Sequence, residues 1–110
     1  MTKQFTVEFT REAEEDLEAI HAYVLEYRSV EQADALIEQL VRVAVSLETF
    51  PMRGAVPKEL KLLARERYRQ IQSPPYRLMY RVIETRVFVS LIVDGRRDLP
   101  ELLARRLLGR

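Results

Sequence analysis

The residues of this chain with the clearest chemical potential are arginines in its second half. Arg77 and Arg81 lie in one predicted strand, and the adjacent pair Arg96 and Arg97 lies just after the last predicted strand. A guanidinium stays protonated near neutral pH, so it binds and stabilises anions but is a poor general base. These positions are therefore typical of anion contacts, without proton transfer by the arginines themselves.

Proton transfer would have to come from other residue types. Tyr68 and Tyr76 could in principle serve as an acid or a base, although we favour a packing role for both. The lone histidine, His21, falls in the first predicted helix, far in sequence from the arginines. The absence of cysteine excludes a thiolate nucleophile, a disulfide and a cysteine-based zinc site, and no metal or cofactor is expected.

Length and composition indicate one globular domain over residues 1–110. Hydrophobic residues make up 47% and charged residues 32% of the 110 residues, and no apolar run approaches the roughly 20 residues of a membrane span. The first residues, MTKQFTVEFTREAEED, do not read as a signal peptide. We expect a cytoplasmic protein without a membrane partner.

The two halves of the chain differ strongly in charge. Residues 1–52 carry 4 basic and 11 acidic side chains, whereas residues 53–110 carry 14 basic and 6 acidic ones. Such asymmetry predicts a face for an anionic partner, such as nucleic acid or an acidic protein surface. Alternatively, the two halves neutralise each other within one fold.

The first half predicts a strand followed by a helical hairpin. Residues 3–9 alternate between apolar and polar, and Thr10 can cap a helix that ends near Tyr27. Ser29 starts a capping box for a second helix that runs to about Glu48. The short turn between the helices requires an antiparallel hairpin.

The second half predicts an antiparallel meander and a terminal helix. Apolar residues alternate over 68–72, 76–83 and 86–93. Glu84 and Thr85 both disfavour positive φ, so the second turn is expected to be longer than two residues. Gly95 should let the chain turn out of the last strand, and Asp98 should cap the helix that follows.

Strict alternation assigns each strand residue to one face. Tyr76, Leu78, Tyr80 and Val82 share a face, and Arg77, Met79 and Arg81 share the opposite one. In the last strand, Val87, Val89, Leu91 and Val93 should line one side, and Phe88, Ser90 and Ile92 the other. Because both sides are largely apolar, this strand should be central.

The order and spacing of several segments resemble the ParE/RelE superfamily of type II toxin–antitoxin toxins. These segments are TREAEEDLEAI (10–20), the Phe50-Pro51 closure, YRLMYRV (76–82) and LIVDGRRDL (91–99). The resemblance covers nearly the whole chain. It implies an α+β fold with an N-terminal strand, an antiparallel helical hairpin packed on a small antiparallel sheet (β-α-α-β-β-β) and a short C-terminal helix.

The resemblance also implies partners. A cognate antitoxin would wrap across the hairpin and the sheet, and operator DNA would be reached only through that antitoxin. The residues expected to contact the antitoxin are Leu17, Ile20, Val24, Leu36, Val43, Arg77 and Arg97. The residues expected to bind the target or another anion are Arg77, Arg81, Arg96, Arg97, Arg105 and Arg106.

Two mechanisms compete within the superfamily. RelE-type toxins cleave mRNA on the ribosome, whereas ParE-type toxins poison DNA gyrase. Arg77 and Arg97 match the arginines of the RelE pattern, but its lysines are replaced by Tyr68 and Gln70, and its terminal tyrosine by Leu103.

The long hairpin and the absence of the RelE lysines and terminal tyrosine favour a ParE-like gyrase inhibitor that is not an enzyme. The first alternative is a ribosome-dependent endonuclease whose candidate residues are Arg77, Arg97, Tyr68 and Tyr76. The second alternative is a non-toxic module that binds its antitoxin and acts only in operator regulation.

Overall fold

The computed structural model describes residues 4–61 and 67–109, which fold as α+β in the predicted order. The two long helices are α1 (Arg11–Tyr27) and α2 (Val30–Val45), and α2 continues into a 3-10 turn at Ser46–Glu48. A second 3-10 turn at Pro51–Arg53 precedes the short helix α3. The remaining elements are β1 (Thr6–Phe9), α3 (Lys58–Lys61), β2 (Arg69–Ser73), β3 (Tyr76–Ile83), β4 (Arg86–Asp94) and α4 (Pro100–Leu108).

The four strands form one mixed sheet in the order β1-β4-β3-β2. The predicted meander is confirmed, because β2 pairs antiparallel with β3, and β3 pairs antiparallel with β4. β1 adds a parallel edge, with Thr6 opposite Arg86 and Phe9 opposite Val89. This long-range pairing makes β4 a central strand, as its two apolar faces predicted.

Local capping chemistry fixes the helical hairpin. The Thr10 hydroxyl accepts a hydrogen bond from the Ala13 N–H at 3.2 Å, and the Ser29 hydroxyl accepts one from the Gln32 N–H at 3.1 Å. Each bond satisfies a backbone donor that has no partner inside its helix. Both predicted helix starts are therefore confirmed.

Helices cover both faces of the sheet, which creates two apolar clusters. The hairpin cluster joins α1 and α2 to one face and includes Leu40, Leu78 and Tyr80. The α4 cluster covers the opposite face with Leu99, Leu103 and Leu107, and it also includes Leu60, Tyr68, Met79, Leu91 and Val93. Because both faces are covered, β3 and β4 form the buried centre of the domain.

The strict alternation predicted for β4 is wrong after Val89. Tyr80 pairs with Val89 but Met79 pairs with Leu91, so Ser90 is an extra residue, a β-bulge. Val87 and Val89 face the hairpin, and beyond the bulge Ile92 does so instead of Leu91. The bulge lets one strand supply large side chains to both clusters.

Two further local predictions were wrong. β3 and β4 are joined by only Glu84 and Thr85, with Ile83 opposite Arg86, because Glu84 adopts a left-handed φ of 55°. The helix α4 is capped at Leu99 without a side-chain hydrogen bond, so Asp98 is not its cap. The apolar burial of Leu99 in the α4 cluster holds this helix start in place of a polar cap. Gly109 ends the helix in a left-handed conformation.

One buried phenol ties the end of the hairpin to the sheet. The Tyr80 hydroxyl donates to the Pro51 carbonyl at 2.6 Å and accepts from the Gly54 N–H at 3.0 Å. Gly54 must lack a side chain, because a Cβ there would lie 2.4 Å from the Tyr80 oxygen. Residues 51–54, which follow the hairpin, are therefore fixed on a polar atom inside the core.

We expect Tyr80→Phe to lower the free energy of unfolding by about 1–3 kcal/mol, because it leaves a buried N–H and a buried carbonyl unpaired. Urea unfolding followed by circular dichroism measures this loss. Tyr76→Phe is the matched control, since no hydrogen bond of its hydroxyl occurs within the described residues. The control should shift stability by no more than roughly 0.5 kcal/mol, and an equal loss in both variants would contradict the prediction.

Candidate interaction groove at the arginine junction

A groove of about 460 Å³ opens between α1, the ends of β3 and β4, and α4. Apolar side chains form its floor, including Ile20 of α1 and Leu102 of α4. Its rim combines two tyrosines with two arginines, namely Tyr23, Tyr76, Arg96 and Arg97. An apolar floor beside cations suits a partner segment that carries both apolar and acidic side chains.

Arg96 folds back on the last residue of β4. Its guanidinium contacts the Asp94 carboxylate at 2.6 and 3.0 Å, and its N–H donates to the same group at 2.9 Å. These hydrogen bonds lower the pKa of Asp94 against the opposing effect of burial. Asp94 therefore neutralises most of the charge of Arg96 within the turn.

Arg97 is the more available cation of the junction. Its backbone N–H donates to the Asp94 carbonyl at 3.3 Å, which holds the turn, while its side chain is exposed. Within residues 4–61 and 67–109, no carboxylate lies within 4.0 Å of its guanidinium. Arg97 therefore presents its charge at the rim of the groove.

The rim tyrosines offer contact area. Tyr23 is 64% exposed, and its ring lies 4.8 Å from that of Tyr27, which is also exposed. Tyr76 is half-buried against the hairpin cluster, and burial raises the pKa of its phenol. Because that phenol stays protonated at neutral pH, Tyr76 is poorly suited to act as a base.

Arg77 lies outside the groove, in a closed polar network. Its guanidinium binds both Glu59 oxygens at 2.9 and 3.0 Å, and its Nε donates to the Gln70 side chain at 2.6 Å. Both members of the ion pair are buried, with 11% and 9% of their side chains exposed. Arg77 thus anchors α3 to the sheet.

Gly95 is needed for close approach. A Cβ at this position would lie 2.8 Å from the Arg77 side chain and 3.2 Å from the Pro75 carbonyl. Its φ is not in the left-handed region, so the turning role expected from the sequence is not the reason for a glycine here.

The remaining predicted cations are divided between surface and interior. Arg81 stacks on Tyr68, with 5.8 Å from guanidinium carbon to ring centre, and Tyr68 itself is buried in the α4 cluster. Arg105 is exposed, whereas Arg106 is half-buried and bonded to Asp16. The structure does not gather the proposed nuclease residues Arg77, Arg97, Tyr68 and Tyr76 into one site.

The residues expected to contact an antitoxin mostly support the hairpin itself. Leu17, Ile20, Leu36 and Val43 are partly buried against the hairpin cluster, and Val24 is half-buried. Of these five, only Ile20 lines the groove. Tyr23 and Tyr27 lie one turn apart on α1, and both are exposed, Tyr27 by 63%. In the sequence, the spacing of these two tyrosines at i and i+4 was the signal that could have indicated an exposed aromatic surface on α1.

The described part of the chain offers neither a cluster of metal ligands nor a membrane-spanning helix. Among residues 4–61 and 67–109, no three histidine, cysteine, aspartate or glutamate side chains are grouped so that they could hold a metal ion. None of the helices described there is both long and apolar enough to cross a bilayer.

We expect Glu59→Gln to lower the free energy of unfolding by roughly 3 kcal/mol near pH 7, because it leaves the buried Arg77 charge without an anionic partner. The hydrogen bond from Arg77 lowers the pKa of Glu59, so the stabilisation is present above the unfolded pKa. The difference in free energy of unfolding between wild type and variant should stay constant above about pH 5. It should narrow below about pH 4.

Urea unfolding at a series of pH values measures this gap. Glu8→Gln is the control, since its pair with Arg86 is exposed and should give a much smaller gap. A gap for Glu59→Gln that does not change with pH would contradict the ion-pair explanation.

Two comparisons with known proteins give matches along most of this chain. Residues 7–99 match the sequence profile of the family described as the ParE toxin of the type II toxin–antitoxin system parDE. A search of curated proteins returned no match. Among solved structures, a chain of a chromosomal ParDE toxin–antitoxin system from P. aeruginosa is similar in fold at 18% identity, with a TM-score of 0.72. The alignment covers 84% of this chain and 98% of that one. This chain therefore belongs to the ParE toxin family of type II toxin–antitoxin systems.

Proposed function

We propose that this toxin inhibits DNA gyrase by direct protein contact, in the cytoplasm, and that a cognate antitoxin neutralises it. Membership of the ParE toxin family supports the toxin role. The choice between gyrase and the ribosome rests on the state of the arginines and tyrosines that RNA cleavage would need. In this proposal the toxin is not an enzyme, and it reaches operator DNA only through the antitoxin.

The observation that carries this choice is the burial of Arg77 against Glu59. Cleaving RNA without a metal requires a base, a cation at the phosphate and an acid for the leaving oxygen. Arg77 is already neutralised by a carboxylate at 2.9 Å, so it is not free to bind a phosphate. Tyr68 is buried in the α4 cluster, and Tyr76 has a raised pKa. These features disfavour a nuclease.

The exposed arginines support a surface for a protein target. Arg97 and Arg105 present charge to solvent, and neither has a carboxylate within 4.0 Å in the described parts of the chain. Charged groups at a rim accelerate encounter with a target of opposite charge and favour one orientation. We propose that these two arginines, on either side of the start of α4, face the gyrase.

The groove supports a site for the antitoxin. Its floor residues Ile20 and Leu102 can accept an apolar side chain, and Tyr23 adds a large ring at the rim. Arg97 would bind a carboxylate of the same antitoxin segment. An antitoxin bound there would cover one of the two arginines that we assign to the target, which explains neutralisation by competition.

We expect the purified toxin to inhibit supercoiling of relaxed plasmid by gyrase, and Arg97→Ala to weaken this inhibition about tenfold, which corresponds to about 1.4 kcal/mol. Arg86→Ala is the matched control, because Arg86 is also exposed but binds Glu8 at 2.7 Å, away from the groove. Supercoiling is measured over a range of toxin concentrations. The ratio of the concentrations of variant and wild type that give half-maximal inhibition measures the loss.

Intact supercoiling at a large molar excess of toxin would overturn the gyrase proposal. Cuts in ribosome-bound mRNA that vanish in Arg77→Ala would instead establish the nuclease. Expression without antitoxin that leaves growth, plasmid topology and RNA unchanged would establish a module that only binds its antitoxin.

We expect Arg97→Glu to weaken binding of the cognate antitoxin at least tenfold, because it brings a negative charge against the proposed acidic segment. Calorimetry with the purified cognate antitoxin measures this affinity. The control is Arg42→Glu, on the outer face of α2 and outside the groove. Equal affinity of wild type and Arg97→Glu would exclude Arg97 from the antitoxin site.

A further inference from the structure

The strand β4 extends beyond the end of its neighbour β1. There, two side chains form hydrogen bonds with the β4 backbone in place of a neighbouring strand. β1 ends at Phe9, opposite Val89, and the bulge at Ser90 follows at once. The Ile92 N–H then donates to the Asp16 carboxylate at 3.0 Å, and the Ser90 carbonyl accepts from Arg106 at 3.0 Å. One side chain from α1 and one from α4 thus pair with the bulged part of β4.

The same two side chains bind each other. The Arg106 guanidinium donates to Asp16 Oδ1 at 3.1 Å and to Asp16 Oδ2 at 2.9 Å. Only 15% of the Arg106 side chain and 17% of the Asp16 side chain are exposed. We call this set of four hydrogen bonds, which joins α1, β4 and α4, the Asp16 clamp.

Arg106 depends on Asp16 for its charge partner. The other nearby carboxylate is Glu12, which lies 3.4 Å from Arg106 Nε and is 61% exposed. That Nε is itself buried without a hydrogen bond. Removing Asp16 would therefore leave a largely buried guanidinium facing one backbone carbonyl and one exposed carboxylate.

The clamp also provides the polar attachment of α4. Among the described residues, Arg106 makes every side-chain hydrogen bond between α4 and another element. The other attachment of α4 is apolar, through Leu99, Leu103 and Leu107. Apolar burial is non-directional, so it constrains the position of a helix along a sheet less tightly than directional hydrogen bonds do.

We infer that Asp16 is a positioning residue: through the Asp16 clamp it sets where α4 docks, and with it the placement of Arg105 and of the groove wall at Leu102. Asp16 lies on α1, on the hairpin side of the groove, whereas α4 forms the opposite wall. The clamp therefore couples the two walls energetically. The consequence for toxicity rests on the proposed gyrase contact, but the docking of α4 does not.

The docking is tested by amide hydrogen exchange, which reports local opening of single elements. In Asp16→Asn, we expect the amides of α4 to exchange at least tenfold faster, while those of α2 keep their protection. Glu8→Gln is the control, because it removes a carboxylate from an exposed bidentate pair with Arg86. Unchanged exchange in α4 of Asp16→Asn would overturn the inference.

Two further variants protect the test against simple misfolding. Arg106→Met removes the clamp from the α4 side and leaves the Asp16 bond to Ile92 in place, so it should also speed exchange in α4 alone. The double reversal Asp16→Arg with Arg106→Asp restores opposite charges but neither backbone bond, so it should not restore protection. Full restoration would show that charge alone matters and would overturn the clamp.

The positioning role has its own readout in the supercoiling assay. If the toxin inhibits gyrase, Asp16→Asn should lose at least tenfold in potency although Arg97 and Arg105 are unchanged, and Glu8→Gln should keep wild-type potency. Potency unchanged despite faster exchange in α4 would overturn the functional part. A wild-type toxin without effect on gyrase would overturn the proposed function, while the exchange result would still decide the clamp.

Discussion

The fold depends on the burial of β3 and β4 on both faces. A two-stranded core with apolar side chains on each side cannot face water on either, so both the hairpin and α4 are required to cover it. The bulge at Ser90 follows from the same demand, because it lets β4 send Val89 and Ile92 to the hairpin and Leu91 to α4. Double burial requires α4 to cover this face, and the hydrogen bonds of Arg106 to Asp16 and to the Ser90 carbonyl hold the helix in place there.

Carboxylates distribute the arginines between structure and surface. Glu59 holds Arg77, Asp16 holds Arg106 and Asp94 holds Arg96, each at 2.6 to 2.9 Å. Carboxylates from both halves of the chain thus neutralise part of the positive charge of residues 53–110. Arg97 and Arg105 are exposed, and within residues 4–61 and 67–109 no carboxylate lies within 4.0 Å of either guanidinium. These ion pairs agree in part with neutralisation between the two halves, whereas the face for an anionic partner stays a prediction.

Sequence patterns predicted the elements well and their local irregularities poorly. The hairpin could be read directly, because Thr10 and Ser29 satisfy backbone donors only three residues away. The bulge at Ser90 and the tight turn at Glu84 could not, because each is imposed by partners elsewhere in the sheet. Asp98 satisfied the local rule for a helix cap, yet burial of Leu99 fixed the start of α4 one residue later.

The sequence by itself determined the helices, the meander, the family and the set of arginines that could carry function. Those features depend on periodicity and on contacts between near neighbours, which a linear pattern records. Only the tertiary structure decided which arginines remain available, since Arg106 meets a carboxylate 90 residues away and Arg77 meets one 18 residues away. Arg77 and Arg97 looked equivalent in the sequence, but folding buries the first against Glu59 and leaves the second at the rim of the groove. The difference arises because a charge loses its solvent on burial and must be paired inside, whereas a charge on an exposed turn need not be.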